Sequence, residues 1–187
     1  YEKSQWLIGE VKNDGSGAVP FNVVGDPAVY VISRAGGEGW DLSSDLLRDA
    51  AESAAFAEIV KSGTAKEEYE TYVPGQHQLE LSTYEKNWLE FCKDKYEHTI
   101  VIINSSNIME MGELEADAGV DAILWVGGPG STGFDAMGNI LSGKVNPSGR
   151  TVDIWSADFT KDPTFVNTAA INQYSDIGEG DVAKGDN

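Results

Sequence analysis

The stretch Arg34-Ala35-Gly36-Gly37-Glu38-Gly39-Trp40-Asp41 gathers residue types that can do chemistry together. Glu38 stands between two glycines, on a backbone free enough to carry a carboxylate outward, where it can give or take a proton. Trp40 offers a flat apolar surface, and Arg34 and Asp41 offer hydrogen-bonding groups. From this loop alone, a solvated carboxylate is the simpler reading.

A second candidate is Gly128-Pro129-Gly130-Ser131-Thr132-Gly133, a literal G-x-G-x-x-G with Asp153 twenty positions beyond its last glycine. That formally matches much of a dinucleotide fingerprint. Three features oppose it. The motif follows the third recognisable strand rather than the first. Pro129 removes a backbone donor from the turn that would cradle phosphate, and Asp153 falls inside an expected strand instead of at its end. Glycines serving a tight turn and close helix packing explain the motif better.

Other candidates carry less. His77, between two glutamines, reads as a surface residue, and His98 as a partner for a helix carboxyl end. One cysteine, Cys92, excludes an internal disulfide framework, and one cysteine with two separated histidines offers no zinc site of the usual kind. No G-x-S-x-G elbow or Walker sequence is present. The acidic residues Asp176, Glu179, Asp181 and Asp186 lack the spacing of a calcium loop.

The elements that position these loops follow from hydrophobic patterning. Three short apolar runs, Ala28–Ser33, Thr99–Asn104 and Asp121–Val126, are continuous rather than alternating, as strands covered on both faces should be. Helical patterns separate them. Ser82-Thr83-Tyr84-Glu85 is a capping box, followed by Tyr84, Trp88, Phe91, Cys92 and Tyr96 on one expected apolar face, with Cys92 read as a buried thiol. Asn107 to Glu110 repeats the cap pattern. A further helix is expected from Ser131 with Gly143 as its stop, and an alanine-rich one over Ser44 to Lys61. Thr151–Trp155 reads as a last strand.

Strands alternating with helices predict an α/β layered sandwich with a mainly parallel sheet flanked by helices. The expected division is an irregular lead-in over 1–27, the sandwich domain over 28–165, and an acidic, Gly-rich tail over 166–187. In such a sheet, ligands collect at the carboxyl ends of the strands. The three loops there start at Arg34, at Asn104-Ser105-Ser106-Asn107, and at Gly127.

Bulk composition narrows the partners. The 187 residues include 31 acidic against 13 basic, a formal net charge of −18. Nucleic-acid and anionic-membrane binding need basic surfaces, so both are disfavoured, whereas a neutral ligand such as a sugar meets no such penalty. No apolar run is long enough for a membrane span.

Taken in order, the segments from about Ala28 to Phe165 resemble the α/β sandwich domain of family 3 glycoside hydrolases, the β-glucosidases, β-xylosidases and relatives. Val31-Ile32-Ser33-Arg34 followed by Gly37-Glu38-Gly39-Trp40-Asp41 is similar to the family's strand and acid/base loop. Gln78-Leu79-Glu80-Leu81-Ser82 leads into the capped helix as in relatives. The most specific block runs from Ala122-Ile123-Leu124-Trp125 through Gly128-Pro129-Gly130 to Leu141-Ser142-Gly143-Lys144-Val145-Asn146-Pro147-Ser148-Gly149-Arg150. Two departures stand out. No opening strand is recognisable before Ala28, and Thr151-Val152 replaces a usual Leu-Pro pair. A stretch between Leu42 and Gln76 reads as an insertion.

The resemblance implies a retaining exo-acting β-glycosidase whose site lies between two domains. A TIM-like barrel, not recognisable in this sequence, would supply an aspartate nucleophile. The sandwich would supply the general acid/base, and Glu38 is the matching position. Arg34, Trp40 and Asp41 match the surrounding loop as candidate substrate contacts. A β-linked glycoside is the implied substrate, with no cofactor and no metal. The alternatives are a dinucleotide-binding domain and a non-catalytic structural or sugar-binding module.

Overall fold

The computed structural model describes residues 27–34, 42–63 and 66–165. The expected lead-in, apart from Pro27, and the expected tail from residue 166 lie outside the described residues. Three strands form one sheet: β1 (Ala28–Arg34), β2 (Thr99–Ser105) and β3 (Ala122–Trp125). Their order is β1-β2-β3 and both pairings are parallel. The register sets Tyr30 beside Val101 and Val101 beside Ile123, and at the carboxyl edge Arg34 beside Ser105. The three apolar runs therefore pair as their composition predicted, in an α/β arrangement.

Side chains alternate across a strand, so this register lines up one core face. Ile32, Val101 and Ile103 are buried on it with Leu81, Leu89, Met109, Met111 and Leu114, and Tyr30 and Ile123 pack at its margin. Leu89 comes from α4 (Thr83–Lys95) and Leu114 from α5 (Gly112–Ala116). A second cluster, Leu46, Phe56, Val60 and Tyr72, lies within the segment read as an insertion.

Helix ends explain several differences from expectation. The alanine-rich stretch forms two helices, α1 (Leu46–Glu52) and α2 (Ala54–Gly63). Ser53 divides them: its amide donates to the Asp49 carbonyl at 3.0 Å, and its hydroxyl accepts the Phe56 amide at 3.2 Å. One residue thus closes one helix and caps the next. A four-residue helix, α3 (Lys66–Tyr69), precedes α4. The box at Ser82 and Glu85 forms in full, with both reciprocal bonds made. The second cap pattern does not form, because α5 begins after Met111 without a side-chain cap. Glu110 is drawn instead to Phe159, whose amide it accepts at 2.8 Å.

On α4 the buried positions are Glu85 and Leu89. Tyr84, Trp88, Phe91 and Cys92 are only half-buried, and the three aromatics meet edge to face with centroids 6.2 and 5.7 Å apart. The inward face is thus set by an ion pair and a leucine rather than by the aromatic run.

The last helix, α6 (Gly130–Leu141), ends with Gly143 at φ +74°. The amides of Gly143 and Lys144 bond the carbonyls of Ile140 and Asn139, each at 2.9 Å. This is a Schellman closure, and it needs a residue without a Cβ penalty at Gly143. Beyond it, the expected strand over Thr151–Trp155 is irregular, with Val152 91% and Ile154 93% exposed. Its β-favouring residues have no strand to pair with among the described residues, and propensity without a partner fixes nothing.

Candidate active site

Residues 35–41 lie outside the described residues, so Glu38, Trp40 and Asp41 are known here through the residues that flank them. On the amino-terminal side, the Arg34 side chain is 6% exposed and all five of its guanidinium N–H groups have acceptors. Nη1 and Nη2 pair with the two carboxylate oxygens of Glu85, the latter at 2.6 Å. Nε donates to the Gln78 carbonyl at 2.7 Å, Nη2 to the Glu80 carbonyl at 3.0 Å, and Nη1 to the Ser33 carbonyl at 2.9 Å. Burial alone would pull this guanidinium down, but the hydrogen-bonded Glu85 carboxylate more than offsets it and holds it above its ordinary value. Arg34 is therefore engaged with the protein itself.

On the carboxyl-terminal side, Ser43 is buried and exchanges two hydrogen bonds with Gln78, one to its side chain and one to its backbone, each 2.9 Å. Both flanks of the candidate loop thus rest on the turn before α4.

A second carboxylate lies close to this anchor. Glu68 accepts from the Ser82 hydroxyl at 3.0 Å. Its carboxyl is pushed above the usual range, first by burial and then by the negative charge of Glu85, with Arg34 acting in the opposite direction. Glu85 takes the guanidinium's hydrogen bonds, and Glu68 feels Arg34 only as a nearby charge. The phenols of Tyr30 and Tyr72 are raised as well, chiefly by burial.

The other two loops of the carboxyl edge meet beside β3. Trp125 Nε1 donates to the Ser105 carbonyl at 2.6 Å, and the Trp125 and Trp155 rings meet edge to face at 5.7 Å. Gly127, at φ +54°, approaches the Trp125 ring so closely that a Cβ there would sit 2.9 Å from Cζ2. The glycines of this loop serve the turn. Pro129 precedes α6 with no side-chain cap, and Asp153 is exposed in an irregular segment rather than in a strand. The dinucleotide pattern is thus formal.

His77 is the largest departure from expectation in this region. Read as a surface residue, it is 2% exposed and packed against Phe159 and Phe165. The signal that could have found it is Glu80 three residues on, whose Oε1 accepts the His77 amide at 3.1 Å. His98, expected at a helix end, faces Asp121 instead, with Nδ1 3.2 Å from Oδ1. The Cys92 thiol is pushed up by burial, which disfavours the thiolate form.

His77, Glu80 and Glu110 bring one imidazole nitrogen and two carboxylate oxygens within 4.8 Å of one another, a set that could in principle hold a cation. The hydrogen bonds oppose it. Nδ1 accepts the Leu79 amide at 3.2 Å, which leaves the proton on Nε2, facing Glu110 Oε2 at 3.3 Å. A cation on Nε2 would move that proton to Nδ1 and set it against the Leu79 N–H. The cluster reads as a structural knot joining the turn before α4, the loop after β2 and the segment at Phe159.

Among the described residues, a three-stranded parallel sheet with helices defines an α/β domain, and the residues flanking 35–41 are both held by the turn before α4. Residues 7–182 match the glycosyl hydrolase family 3 C-terminal domain, and the chain belongs to that family. It is 31% identical over 137 residues to a beta-glucosidase of Ruminococcus albus, covering 71% of this chain and 14% of that protein. It is 26% identical over 168 residues to beta-glucosidase A of Butyrivibrio fibrisolvens, covering 87% and 19%. The match to a probable beta-glucosidase A of Aspergillus terreus is 37% over 73 residues, covering 37% and 8%. The chain therefore spans less than a fifth of the length of these relatives. No solved structure matches it.

Proposed function

We propose that this domain supplies the general acid/base of a retaining, exo-acting β-glycosidase, with Glu38 in that role. The nucleophile would come from a separate barrel domain of the same enzyme, and a β-linked gluco- or xylo-configured glycoside would be the substrate. In this chemistry one carboxylate attacks the anomeric carbon, and the other protonates the departing oxygen and then activates water. The observation that carries the reading is the anchoring at the end of β1. The strand ends in a fully paired arginine, with only Ala35 and Gly36 between it and Gly37-Glu38-Gly39, so the chain leading to the candidate carboxylate starts from a fixed point. Membership of the family supports the same assignment. Trp40 and Asp41 would lie beside the sugar as substrate contacts. Arg34, its donors already used, is given the task of holding the loop.

The test is Glu38→Ala in the intact enzyme. A general acid/base contributes ~10²–10⁴-fold, so natural glycosides with poor leaving groups should slow by that order. Activated aryl glycosides need no protonation, so they should still form the glycosyl-enzyme and give a burst of phenol with a lowered KM. Azide should restore turnover with retained β stereochemistry, because the small anion needs no base. Near wild-type rates on both substrates, with no azide response, would leave the domain a structural wall of the site.

A further inference from the structure

The carboxyl edge of the sheet holds a tryptophan that is fixed in place yet not buried. Trp125 ends β3, paired beside Ile103, and is 39% exposed. Its Nε1 donates to the Ser105 carbonyl at 2.6 Å, and Trp155 meets it edge to face with centroids 5.7 Å apart. A Cβ on Gly127 would lie 2.9 Å from Cζ2 and 3.3 Å from both Cε2 and Cη2, so the backbone there lies over the ring rather than at its rim. Three contacts thus set the indole before any ligand arrives, and its polar N–H is already used. What remains on offer is aromatic surface.

Neutral polar groups stand beside it. Ser106 follows the residue that holds the indole N–H, and its Oγ lies 3.4 Å from where a Cβ of Gly128 would be. Asn107 is set by its amide, which donates to Ser105 Oγ at 3.0 Å. Ser106 is exposed and Asn107 half-buried, and neither side chain makes a hydrogen bond among the described residues. A hydroxyl and a carboxamide, each able to donate and accept, are left uncommitted next to a fixed aromatic ring. That combination suits a pyranose, which has an apolar C–H face and a rim of hydroxyls. An ionised ligand would meet no counter-charge in this group, and an anion would also face the net charge of −18.

We propose that Trp125, Ser106 and Asn107 form a sugar-binding subsite that takes the leaving-group sugar of a β-linked oligosaccharide. It lies on the edge where ligands collect in a parallel sheet, with Ser105 paired to Arg34 and so about 4.8 Å, one strand spacing, from the end of β1. A half-exposed platform suits a sugar that must depart after cleavage, whereas the sugar retained for the second step is better served by enclosure. The proposal rests on the reading of the parent enzyme as a β-glycosidase and is independent of the role of Glu38.

The test uses the intact enzyme with two substrates, cellobiose and methyl β-glucoside, or xylobiose and methyl β-xyloside if xylose is preferred. The methyl glycosides have no leaving-group sugar. Ser106→Ala and Asn107→Ala should each raise KM for the disaccharide roughly 2–10-fold, and Trp125→Ala roughly 10-fold, with kcat little changed. KM for the methyl glycoside should stay at the wild-type value in all three. A sulfur-linked disaccharide, which is not cleaved, should lose affinity by the same factors in calorimetry. The two alanine variants at 106 and 107 should keep the wild-type Tm, since neither side chain bonds within the described structure. They carry the test where Trp125→Ala, which also loses Trp155, does not accumulate folded. If the variants leave both substrates unchanged, or weaken both alike, the subsite is overturned while the β-glycosidase reading stands. If the intact wild-type enzyme hydrolyses none of these glycosides, both fall.

Discussion

Arg34 and Glu85, 51 residues apart, form a two-pronged ion pair in which each side chain is 6% exposed. The same Glu85 carboxylate accepts the Ser82 amide at 2.9 Å and so closes the cap of α4. The end of β1 and the start of α4 are thus secured by one group. Removing one partner of a buried pair leaves an uncompensated charge, at about 3–5 kcal/mol. Glu85→Ala should cost that much in chemical denaturation, and Glu85→Gln, which can still accept the Ser82 amide, should cost less. A loss under about 1 kcal/mol for Glu85→Ala would mean that the pair is solvated in practice.

Glu68 gives a pH dependence with a definite sign. Its raised carboxyl means that the folded state holds a proton that the unfolded chain has released above the ordinary glutamate value of 4.5. Stability from this group is present below that value and is lost as pH rises through the folded value. Glu68→Gln keeps an acceptor for the Ser82 hydroxyl but cannot ionise. The wild type should therefore lose ground to Glu68→Gln as pH rises from about 4.5, and the difference should then level off. Parallel denaturation curves across this range would show that Glu68 is not perturbed in the folded protein.

The His77 knot makes a spectroscopic prediction. With the Leu79 amide on Nδ1, the ring should be the Nε2–H tautomer, which nitrogen chemical shifts of labelled imidazole report directly. Zinc or manganese at stoichiometric concentration should leave Tm unchanged. A rise in Tm that disappears in His77→Gln would instead identify a metal centre at His77, Glu80 and Glu110.

The isolated chain should hydrolyse no aryl glycoside, because the proposed two-carboxylate mechanism takes its nucleophile from another domain. The assay is release of nitrophenol from a nitrophenyl β-glucoside, with the Glu38→Ala chain as control. Turnover above that control would place the nucleophile within these 187 residues.

Features with a local signature were legible in the sequence, and those depending on distant partners were not. Strand runs such as Ile100–Ile103 announce themselves by composition, and the Ser82–Glu85 box and the stop at Gly143 need only four or five residues to recognise. The box gave no hint that Glu85 also holds Arg34, since that partner is fixed only once α4 lies against β1. For the same reason Gln78 read merely as part of a resemblance, and His77 as surface. The strand expected at Thr151–Trp155 shows the opposite error, in which a local preference finds no neighbour to satisfy it. Glu38 was identified through resemblance, because a carboxylate between glycines says little by itself.

The anchoring of β1 also bears on the order in which the chain can be built. Gln78 and Glu85 lie 44 and 51 residues downstream of Arg34. At synthesis rates of roughly 5–20 residues per second, that is a delay of roughly 2–10 s between the strand and its restraints. During that interval the apolar run Val29-Tyr30-Val31-Ile32 is a nascent strand still waiting for β2 and α4. A parallel sheet is slow to assemble because its contacts are distant in sequence. Variants that weaken the Arg34 anchor should therefore lower soluble yield during expression by more than their equilibrium stability implies, and most at high temperature.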